Sequence, residues 1–348
     1  MASNPASARK KARSAPTIYD VAKLAGVNPS TVSRALSQPG RINVKTEAKI
    51  HDAAKQLNYR LNPMARALPT GRTNTLGLLI ADITNPVIFG IVRGAEKAAA
   101  ERGYTLVISE SQESGEREAA SAQRIQPAVD GLVLGTSRLT DEAIKALAEE
   151  KPLVVINRQI DGVSSVTPNI GPGIDQALAH LELLGHTDLV FLSGPSGSWM
   201  SRHRWETLQE GAQARGMTIT STAPQEPTID GGRSLLSRVI ASGATAVIAY
   251  NDLMAIGLMR TAAEQGISVP GTFSILGFDD IFGSDFTSPP LTTVRSPLLD
   301  AGRLAVRQTL QLIEEGPDGA AARLATQGLD TELIIRGSSG AVRESSRP

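Results

Sequence analysis

The sequence predicts an all-α helix-turn-helix headpiece followed by an α/β domain of two doubly wound parallel-sheet subdomains. Three observations support this fold class. The chain has 348 residues, which is more than one ordinary core usually holds. Short helical patterns separated by caps and a tight glycine turn fill the first sixty residues. Beyond residue 73, continuous apolar runs alternate with helical segments, which is typical of parallel sheets covered on both faces.

Charge is distributed unequally along the chain. Lys plus Arg and Asp plus Glu each number 35, so the formal net charge is zero. Residues 1–73 nevertheless contain 13 basic and 3 acidic residues, and the remainder therefore carries an equal acidic excess. A basic end on an acidic body indicates a polyanionic partner held by that end. A basic tail kept for solubility would explain residues 9–13 but not the basic residues spread through the ordered segment.

Several classes of protein are disfavoured by composition. The chain contains no cysteine, which excludes disulfides and thiolate metal sites and fits a cytoplasmic protein. No apolar run approaches the roughly 20 residues that span a bilayer. The basic N-terminus lacks the apolar segment of a secretory signal, so we expect no export and no membrane partner.

The headpiece is predicted at residues 17–61, after a disordered basic arm at 1–16. Thr17 and Asp20 form a short variant of the capping box, and Gly26 ends the first helix in a left-handed turn. Pro29 and Asn43 mark the starts of the second and third helices. The predicted core residues are Val21, Ala22, Leu24, Val32, Ala35, Leu36, Ile50, Ala53, Ala54 and Leu57.

A hinge helix and linker are predicted at residues 62–73. Asn62 is a cap, Pro63 opens a helix, and Pro69 prevents its continuation. The enclosed helix has about six residues, fewer than the roughly 12–15 that an isolated helix needs in water. We therefore expect it to form only when another contact stabilises it.

Residues 74–338 are predicted to form the α/β domain. We assign about 74–170 plus 295–325 to an N-subdomain, about 171–292 plus 326–338 to a C-subdomain, and 339–348 to a frayed tail. The predicted strands are 76–81, 105–108, 131–134, 153–156, 189–192, 246–249 and 274–276. In doubly wound sheets, ligands bind beyond the carboxyl ends of the strands.

Eight motifs occur in order along the chain: TIYDVAKLAGVNPSTVSRAL (17–36), LNY (57–59), NPMARAL (62–68), GRTNTLG (71–77), DITNP (82–86), NDLMA (251–255), GFDD (277–280) and PPLTTV (289–294). Together they closely resemble the lactose/galactose-repressor (LacI/GalR) family, and the resemblance covers nearly all of residues 17–338. The resemblance implies a sensor domain like the type I periplasmic binding proteins. It also implies a transcriptional regulator, typically a repressor, which binds a palindromic operator in double-stranded DNA as a homodimer. A small-molecule effector, expected to be a carbohydrate, would bind between the subdomains.

The resemblance places the DNA-binding site on the second helix and the hinge. Arg34 is the strongest base-reading candidate, because its guanidinium matches the two acceptors on guanine. A solvated helix-face arginine is the alternative. Leu68 matches a side chain that wedges between base steps in the minor groove. The full set is Tyr19, Pro29, Ser30, Thr31, Ser33, Arg34, Asn43, Thr46, Asn62, Met64, Ala65 and Leu68.

The resemblance and the strand ends together suggest the effector-binding residues. Arg204 and Asp279 are expected to converge on polar ligand atoms. Trp199 and Trp205 flank a polar loop and could stack on a sugar, although core packing is an alternative for both. The full set is Asp82, Val87, Ile88, Phe89, Asn157, Ser198, Trp199, Arg204, Asn251 and Asp279.

No group of residues predicts catalysis, a metal or a cofactor. The four histidines are scattered, and the Gly171-Pro-Gly173 segment lacks the lysine and spacing of a phosphate loop. Asp279 and Asp280 have no third ligand nearby in the sequence, so a binding aspartate is favoured over a metal site. A solute-binding protein or an α/β enzyme would share the larger fold, but the first would lack a basic headpiece and the second needs a catalytic set.

Overall fold

The computed structural model describes residues 16–37, 40–59, 71–316 and 327–342. The chain forms two compact units, residues 1–73 and residues 74–348. In the described ranges, no helix has both the length and the apolar character needed to cross a bilayer.

The first unit contains three helices with the expected caps. They are α1 (Ile18–Ala25), α2 (Pro29–Ser37) and α3 (Val44–Gln56). The backbone N–H of Thr17 donates to the Asp20 carboxylate at 2.7 Å, and this bond lowers the pKa of Asp20. Gly26 adopts a φ of 69°, where a side chain would be strained, and so ends α1. The Asn43 side chain accepts from the N–H of Lys45 at 2.9 Å.

A small apolar core joins these helices. Its buried members are Val21, Ala22, Val32, Ala35, Ile50, Ala53 and Ala54, with Leu36 and Leu57 packed against them. Leu24 differs from the prediction, because 49% of its surface is exposed. The helix has only eight residues, so its buried stripe is filled by Val21 and Ala22. Leu24 is thus an apolar residue on the outer face of α1.

The hinge residues Asn62, Met64, Ala65 and Leu68 lie outside the described residues. The helix assigned to this segment stays a prediction from the sequence.

Two parallel-rich sheets form the second unit. The strands are β1 (Thr75–Ile80), β2 (Thr105–Glu110), β3 (Gly131–Gly135), β4 (Leu153–Ile156), β5 (Ser164–Asn169), β6 (Asp188–Leu192), β7 (Thr218–Ser221), β8 (Ala246–Ala249), β9 (Ser274–Asp279), β10 (Thr292–Arg295), β11 (Gln327–Asp330) and β12 (Glu332–Ile334). The first sheet has the strand order β11-β5-β4-β3-β1-β2, and the second has the order β12-β10-β9-β8-β6-β7. All the described pairings of these strands are parallel except that of β10 with β12.

Helices cover both faces of each sheet. They are α4 (Val87–Glu101), α5 (Gly115–Ile125), α6 (Asp141–Glu150), α7 (Gly171–Leu183), α8 (Trp199–Ala214), α9 (Ile229–Arg233), α10 (Leu236–Ser242), α11 (Asp252–Glu264) and α12 (Leu298–Glu315). One face of the first sheet packs against α4 and α12, and its other face packs against α5 and α6. This arrangement explains why β1, β3 and β4 are apolar almost throughout.

The chain crosses between the two sheets near the ends of β5, β10 and β11. The predicted boundary at residue 326 was wrong for β11, because this strand pairs with β5 in the first sheet. The crossing instead occurs at Thr331, whose N–H donates to the carbonyl of Asn169 at 3.1 Å. β11 has the sequence Gln-Gly-Leu-Asp, which carries no apolar run to indicate its sheet.

Residues 339–342 were predicted to belong to a frayed tail, and this was wrong. The N–H of Val342 donates to the carbonyl of Leu184 at 3.0 Å, and His186 Nε2 lies 3.0 Å from the carbonyl of Gly340. The Ser274 hydroxyl also bonds to Gly340. These bonds attach the end of the described chain to the second sheet. Residues 343–348 lie outside the described residues.

We expect acid to weaken this attachment. His186 is buried, and burial lowers its pKa below the ordinary value, with His180 adding to the effect. Below about pH 6.5, His186 becomes protonated in the unfolded chain but stays neutral in the folded chain. The free energy of unfolding therefore falls as the pH drops through that range. Replacing His186→Gln should therefore make the melting temperature less dependent on pH between about 7.5 and 5.5.

His51→Gln is the matched control, because the His51 side chain is 56% exposed. It should leave the pH dependence as in the parent. Equal slopes for the parent and both variants would contradict a role for buried His186.

Candidate functional site

A cleft opens at the carboxyl ends of the strands in the second unit. It contains about 490 Å³ of space, part of which is open to solvent. Both sheets contribute to its walls, as expected for ligand sites in doubly wound folds. The lining residues are Ala81, Asp82, Asn85, Val87, Ile88, Glu113, Thr136, Arg138, Asn157, Met200, Arg204, Pro227, Tyr250, Asn251 and Asp279.

Strained backbone brings several polar side chains to this cleft. Glu113, Thr136, Asn157 and Asp279 have φ values of 60°, 58°, 63° and 103°. Each lies at or just beyond the end of a strand, namely β2, β3, β4 and β9. Left-handed backbone costs a residue with a side chain about 1–3 kcal/mol and is concentrated at functional sites. The positions of these four residues therefore favour a binding role for the cleft.

A buried ion pair joins two lining residues. Arg204 Nη2 donates to Asp279 Oδ1 at 2.6 Å, and the two side chains are only 5% and 8% exposed. Arg204 also donates to the carbonyl of Tyr250 and lies over the ring of Phe278, 4.4 Å from its centroid. Asp279 Oδ1 accepts a second bond, at 3.2 Å, from the hydroxyl of Ser296.

One hydrogen-bond donor of Arg204 has no partner within the described residues. This donor is the buried Nε atom. A buried donor without a partner costs about 1–3 kcal/mol. An acceptor atom on a bound ligand would remove that penalty.

The opposite wall holds a second ion pair. Arg138 Nε donates to Glu113 Oε2 at 2.7 Å, and Arg138 Nη1 donates to the carbonyl of Thr136 at 2.8 Å. Burial raises the pKa of Glu113, Arg138 opposes that shift, and the negative charges of Asp82 and Glu226 add to it. Burial is therefore the main reason that the pKa of Glu113 is raised, and Arg138 is its strongest charged neighbour.

A fully buried carboxyl supports the segment that carries Asp279. Asp252 accepts from the hydroxyl of Thr293 at 2.6 Å and from the N–H of Ile281 at 2.8 Å. Burial raises the pKa of Asp252 well above its ordinary value, and the nearby charge of Asp279 adds to this. Asp252 therefore fixes the backbone immediately beyond β9.

The structure brings most of the suggested effector residues to the cleft. Asp82, Val87, Ile88, Asn157, Arg204, Asn251 and Asp279 line it, whereas Phe89, Ser198 and Trp199 are not among its lining residues. Phe89 is 50% exposed on α4. Ser198 caps α8 and bonds to the hydroxyl of Tyr250 at 3.1 Å. Ser198 therefore contacts a lining residue without lining the cleft itself.

The two tryptophans are placed differently from the expectation. Trp199 is the first residue of α8, so the segment 199–205 is helical rather than a loop. Its ring packs on His203, with the centroids 4.7 Å apart. Trp205 stacks on Phe191 at 6.0 Å, and both tryptophans pack against the core of the second sheet. Core packing, the alternative reading, describes their surroundings.

Asn251 has a structural partner at each end of its side-chain amide. Its oxygen accepts from the N–H of Met254 at 3.0 Å and caps α11, while its nitrogen donates to the carbonyl of Pro227 at 2.9 Å. Asp82 similarly accepts from the N–H and hydroxyl of Thr84. Both residues therefore bond to other residues of the chain at the cleft wall.

Sequence reasoning missed eight lining residues, which are Ala81, Asn85, Glu113, Thr136, Arg138, Met200, Pro227 and Tyr250. A signal was present for part of this set. Thr136 and Tyr250 directly follow apolar strands, and Arg138 lies three residues beyond the first of these, so each is close to a carboxyl strand end.

The first unit presents its own polar surface. Tyr19 is 70% exposed, and Ser30, Arg34 and Asn43 are also exposed. Pro29, Thr31, Ser33 and Thr46 are partly buried. Arg34 lies in the last turn of α2. A cationic helix with small polar neighbours is compatible with insertion into the major groove.

The fold and the two sites define a DNA-binding regulator with a separate ligand-binding unit, and comparisons with known proteins agree. Residues 17–62 match the family model described as bacterial regulatory proteins, lacI family, and residues 178–339 match a periplasmic binding protein-like domain. The HTH-type transcriptional repressor CytR of Escherichia coli (strain K12) is 30% identical over 342 residues, covering 96% of this chain and 99% of CytR. The chain belongs to the lacI family.

Further relatives and solved structures give the same result. The HTH-type transcriptional regulator GalR of Escherichia coli (strain K12) is 32% identical, with 86% of this chain and 90% of GalR covered. The lac repressor dimer bound to operator and the anti-inducer ONPF superposes with a TM-score of 0.83 at 26% identity, covering 94% and 99% of the two chains. The complex of the transcriptional regulator CelR with cellobiose superposes with a TM-score of 0.68 at 27% identity, covering 93% of this chain and 99% of the CelR chain.

These findings confirm the predicted fold class and the predicted family. The protein is a transcriptional regulator with a helix-turn-helix domain and a periplasmic-binding-protein-like domain, and its relatives are regulators rather than enzymes.

Proposed function

We propose that this protein is a cytoplasmic repressor whose affinity for a palindromic operator is controlled by a sugar or sugar derivative bound in the cleft. One observation carries the proposal: the chain joins a basic helix-turn-helix unit to a unit whose strained, polar cleft can hold a small molecule. Two relatives support the ligand class by their names, the ribose operon repressor of Escherichia coli (strain K12) and the CelR–cellobiose complex.

On the DNA side, α2 would enter the major groove with Arg34 at a guanine edge. Pro29 and Ser30 would contact bases weakly, because one offers only apolar contact and the other a single hydroxyl. Tyr19, Thr31, Ser33, Asn43 and Thr46 would contact phosphates, which position the protein without reading the sequence.

The hinge would connect the two functions. Asn62, Met64, Ala65 and Leu68 would form a helix only when two copies pair in the minor groove, with Leu68 inserted between base steps. A homodimer on a two-fold-symmetric site supplies the two hinges that this requires.

Ligand binding would act by shifting the balance between arrangements of the two subdomains. The contact that suits this role is the bond from Ser296 to Asp279, because Ser296 follows β10 where the chain returns to the first sheet and Asp279 lines the cleft. A ligand that engages Arg204 or Asp279 would thus alter a contact at the crossing between the sheets.

The proposed role of Arg34 can be tested by selecting duplexes from a random pool with the purified chain. The parent should enrich a two-fold-symmetric sequence. Arg34→Ala should lose the preference for one base pair in each half-site, weakening discrimination there by about 1–3 kcal/mol.

Arg34→Lys is the matched variant, because lysine keeps the charge but lacks the forked guanidinium. It should bind DNA more tightly than Arg34→Ala but recover little of the preference. A base preference unchanged in both variants would remove Arg34 from the reading surface.

A further inference from the structure

The charges on the walls of the cleft restrict what it can bind. Two cations line it, Arg138 and Arg204, and each already donates to a carboxylate, Glu113 and Asp279 respectively. A third carboxylate, Asp82, also lines the cleft, and the charge of exposed Glu226 acts on Glu113 from the other wall. An anionic ligand would meet carboxylates whose neighbouring cations are already engaged.

The groups in the cleft that are still able to form hydrogen bonds favour a ligand that has both donors and acceptors. Glu113 uses Oε2 for Arg138, and its side chain remains 23% exposed toward the cleft. Carboxylate oxygens accept, so Glu113 and Asp82 require donors from a ligand. Arg204 also lines the cleft, and its buried Nε has no acceptor within the described residues. A hydroxyl group can donate and accept, so a molecule with several hydroxyls can satisfy both walls.

The placement of Glu113 comes at a conformational cost. Gln112 and Glu113 are consecutive residues in left-handed backbone, with φ values of 53° and 60°. Such conformations persist only where the surrounding structure stabilises them, and they are concentrated at functional sites. Here they turn the carboxylate from the end of β2 toward the cleft and toward Arg138.

We propose that the effector is an uncharged, unphosphorylated polyhydroxyl compound, and that Glu113 is the residue that excludes phosphorylated analogues. This rests on the proposed ligand-binding function of the cleft. Glu113 excludes a phosphate in two ways: its own charge repels the dianion, and it occupies the guanidinium of Arg138 that would otherwise bind it.

The test uses inorganic phosphate and the full chain, so that it does not depend on the natural ligand. Phosphate affinity is measured by thermal shift at constant ionic strength for the parent, Glu113→Gln and Glu116→Gln. Glu116 lies three residues further on, is exposed on α5 and does not line the cleft, so its replacement makes the same change in charge elsewhere. Any phosphate binding by the basic headpiece is common to all three proteins.

Glu113→Gln should bind phosphate at least about tenfold more tightly than the parent, because it frees Arg138 and removes a negative charge. Glu116→Gln should behave like the parent. Equal affinities in all three proteins, or tightest binding by the parent, would overturn the proposal.

A second measurement uses D-ribose, D-galactose and D-glucose, each beside its phosphate ester. Every sugar that binds the parent should bind more tightly than its ester, and an ester that binds more tightly overturns the proposal. Failure of the duplex selection, by contrast, would count against the regulatory function and leave the charge preference of the cleft standing.

Discussion

Replacing Asp279 by alanine should lower the free energy of unfolding of the second unit by about 3–5 kcal/mol and abolish its response to the effector. The pair that Asp279 forms with Arg204 is almost fully buried, at 2.6 Å. Removing one partner leaves an uncompensated charge on a buried side chain, which is among the most costly single changes in a protein interior. The bond from Ser296 would be lost as well.

Urea unfolding measures the first effect, and ligand titration followed by thermal shift measures the second. Glu264→Ala is the control, because its pair with Arg233 is exposed and should matter little. Combining Asp279→Leu with Arg204→Met should restore much of the stability without restoring the ligand response. If Asp279→Ala unfolded at the same urea concentration as the parent, the buried pair of Asp279 with Arg204 would not contribute to the free energy of unfolding.

Replacing Gly302 by valine should destabilise the first sheet and its helices by at least about 4 kcal/mol. α4 and α12 approach each other so closely that a Cβ on Gly302 would overlap the carbonyl oxygen of Ile91. Gly94 has the reciprocal position, because its Cβ would overlap the carbonyl oxygen of Leu299. Both obstacles are backbone atoms, which cannot turn aside as a flexible side chain can.

Gly302→Ala is the milder variant, and it should fold well enough for its loss to be measured. Gly197 supplies the control, since a Cβ there would meet no atom within 4 Å and its φ is not in the left-handed range. Gly197→Ala should melt at the temperature of the parent. A Gly302→Ala protein as stable as the Gly197→Ala protein would mean that the two helices are not in such close contact.

Most of the strands that sequence reasoning identified are buried on both faces; β2 was identified as well, although it is an exposed edge strand, because its Leu-Val-Ile run is apolar. β1, β3, β4, β6 and β8 are short apolar runs, and burial between helix layers is what requires that composition. β5 was missed although its first five residues are buried, because Ser164, Ser165, Thr167 and Pro168 give it no apolar pattern. β7 was missed because its sequence, Thr-Ile-Thr-Ser, contains no apolar run at its exposed edge position.

The candidate site was only partly predictable for a related reason. Arg204 and Asp279 could be chosen because each is charged and matches an effector position in the family resemblance, yet nothing in the sequence shows that they bind each other across 75 positions. Glu113 reaches the cleft through two consecutive left-handed residues, and neither Gln nor Glu signals that conformation. The sequence places Trp199 and Trp205 on either side of a polar loop, whereas the side chain of Ser198 caps a helix that begins at Trp199 and continues through both.

The headpiece was the most predictable part of the chain. Its signals are local: a carboxylate three residues after Thr17, a glycine that ends α1, a proline that begins α2 and an asparagine that caps α3. The roles of its surface residues and of the hinge depend on DNA and on a second copy of the chain. Those roles therefore stay predictions.

The central claim is that a ligand in the cleft of the second unit changes the affinity of the first unit for DNA. The most direct measurement is the dissociation constant of the full chain for its selected duplex, with and without a sugar that raises the melting temperature. The account predicts a change of about 5–150-fold at saturation, lost in Asp279→Asn. An unchanged dissociation constant, with the melting temperature showing that the cleft is occupied, would contradict it.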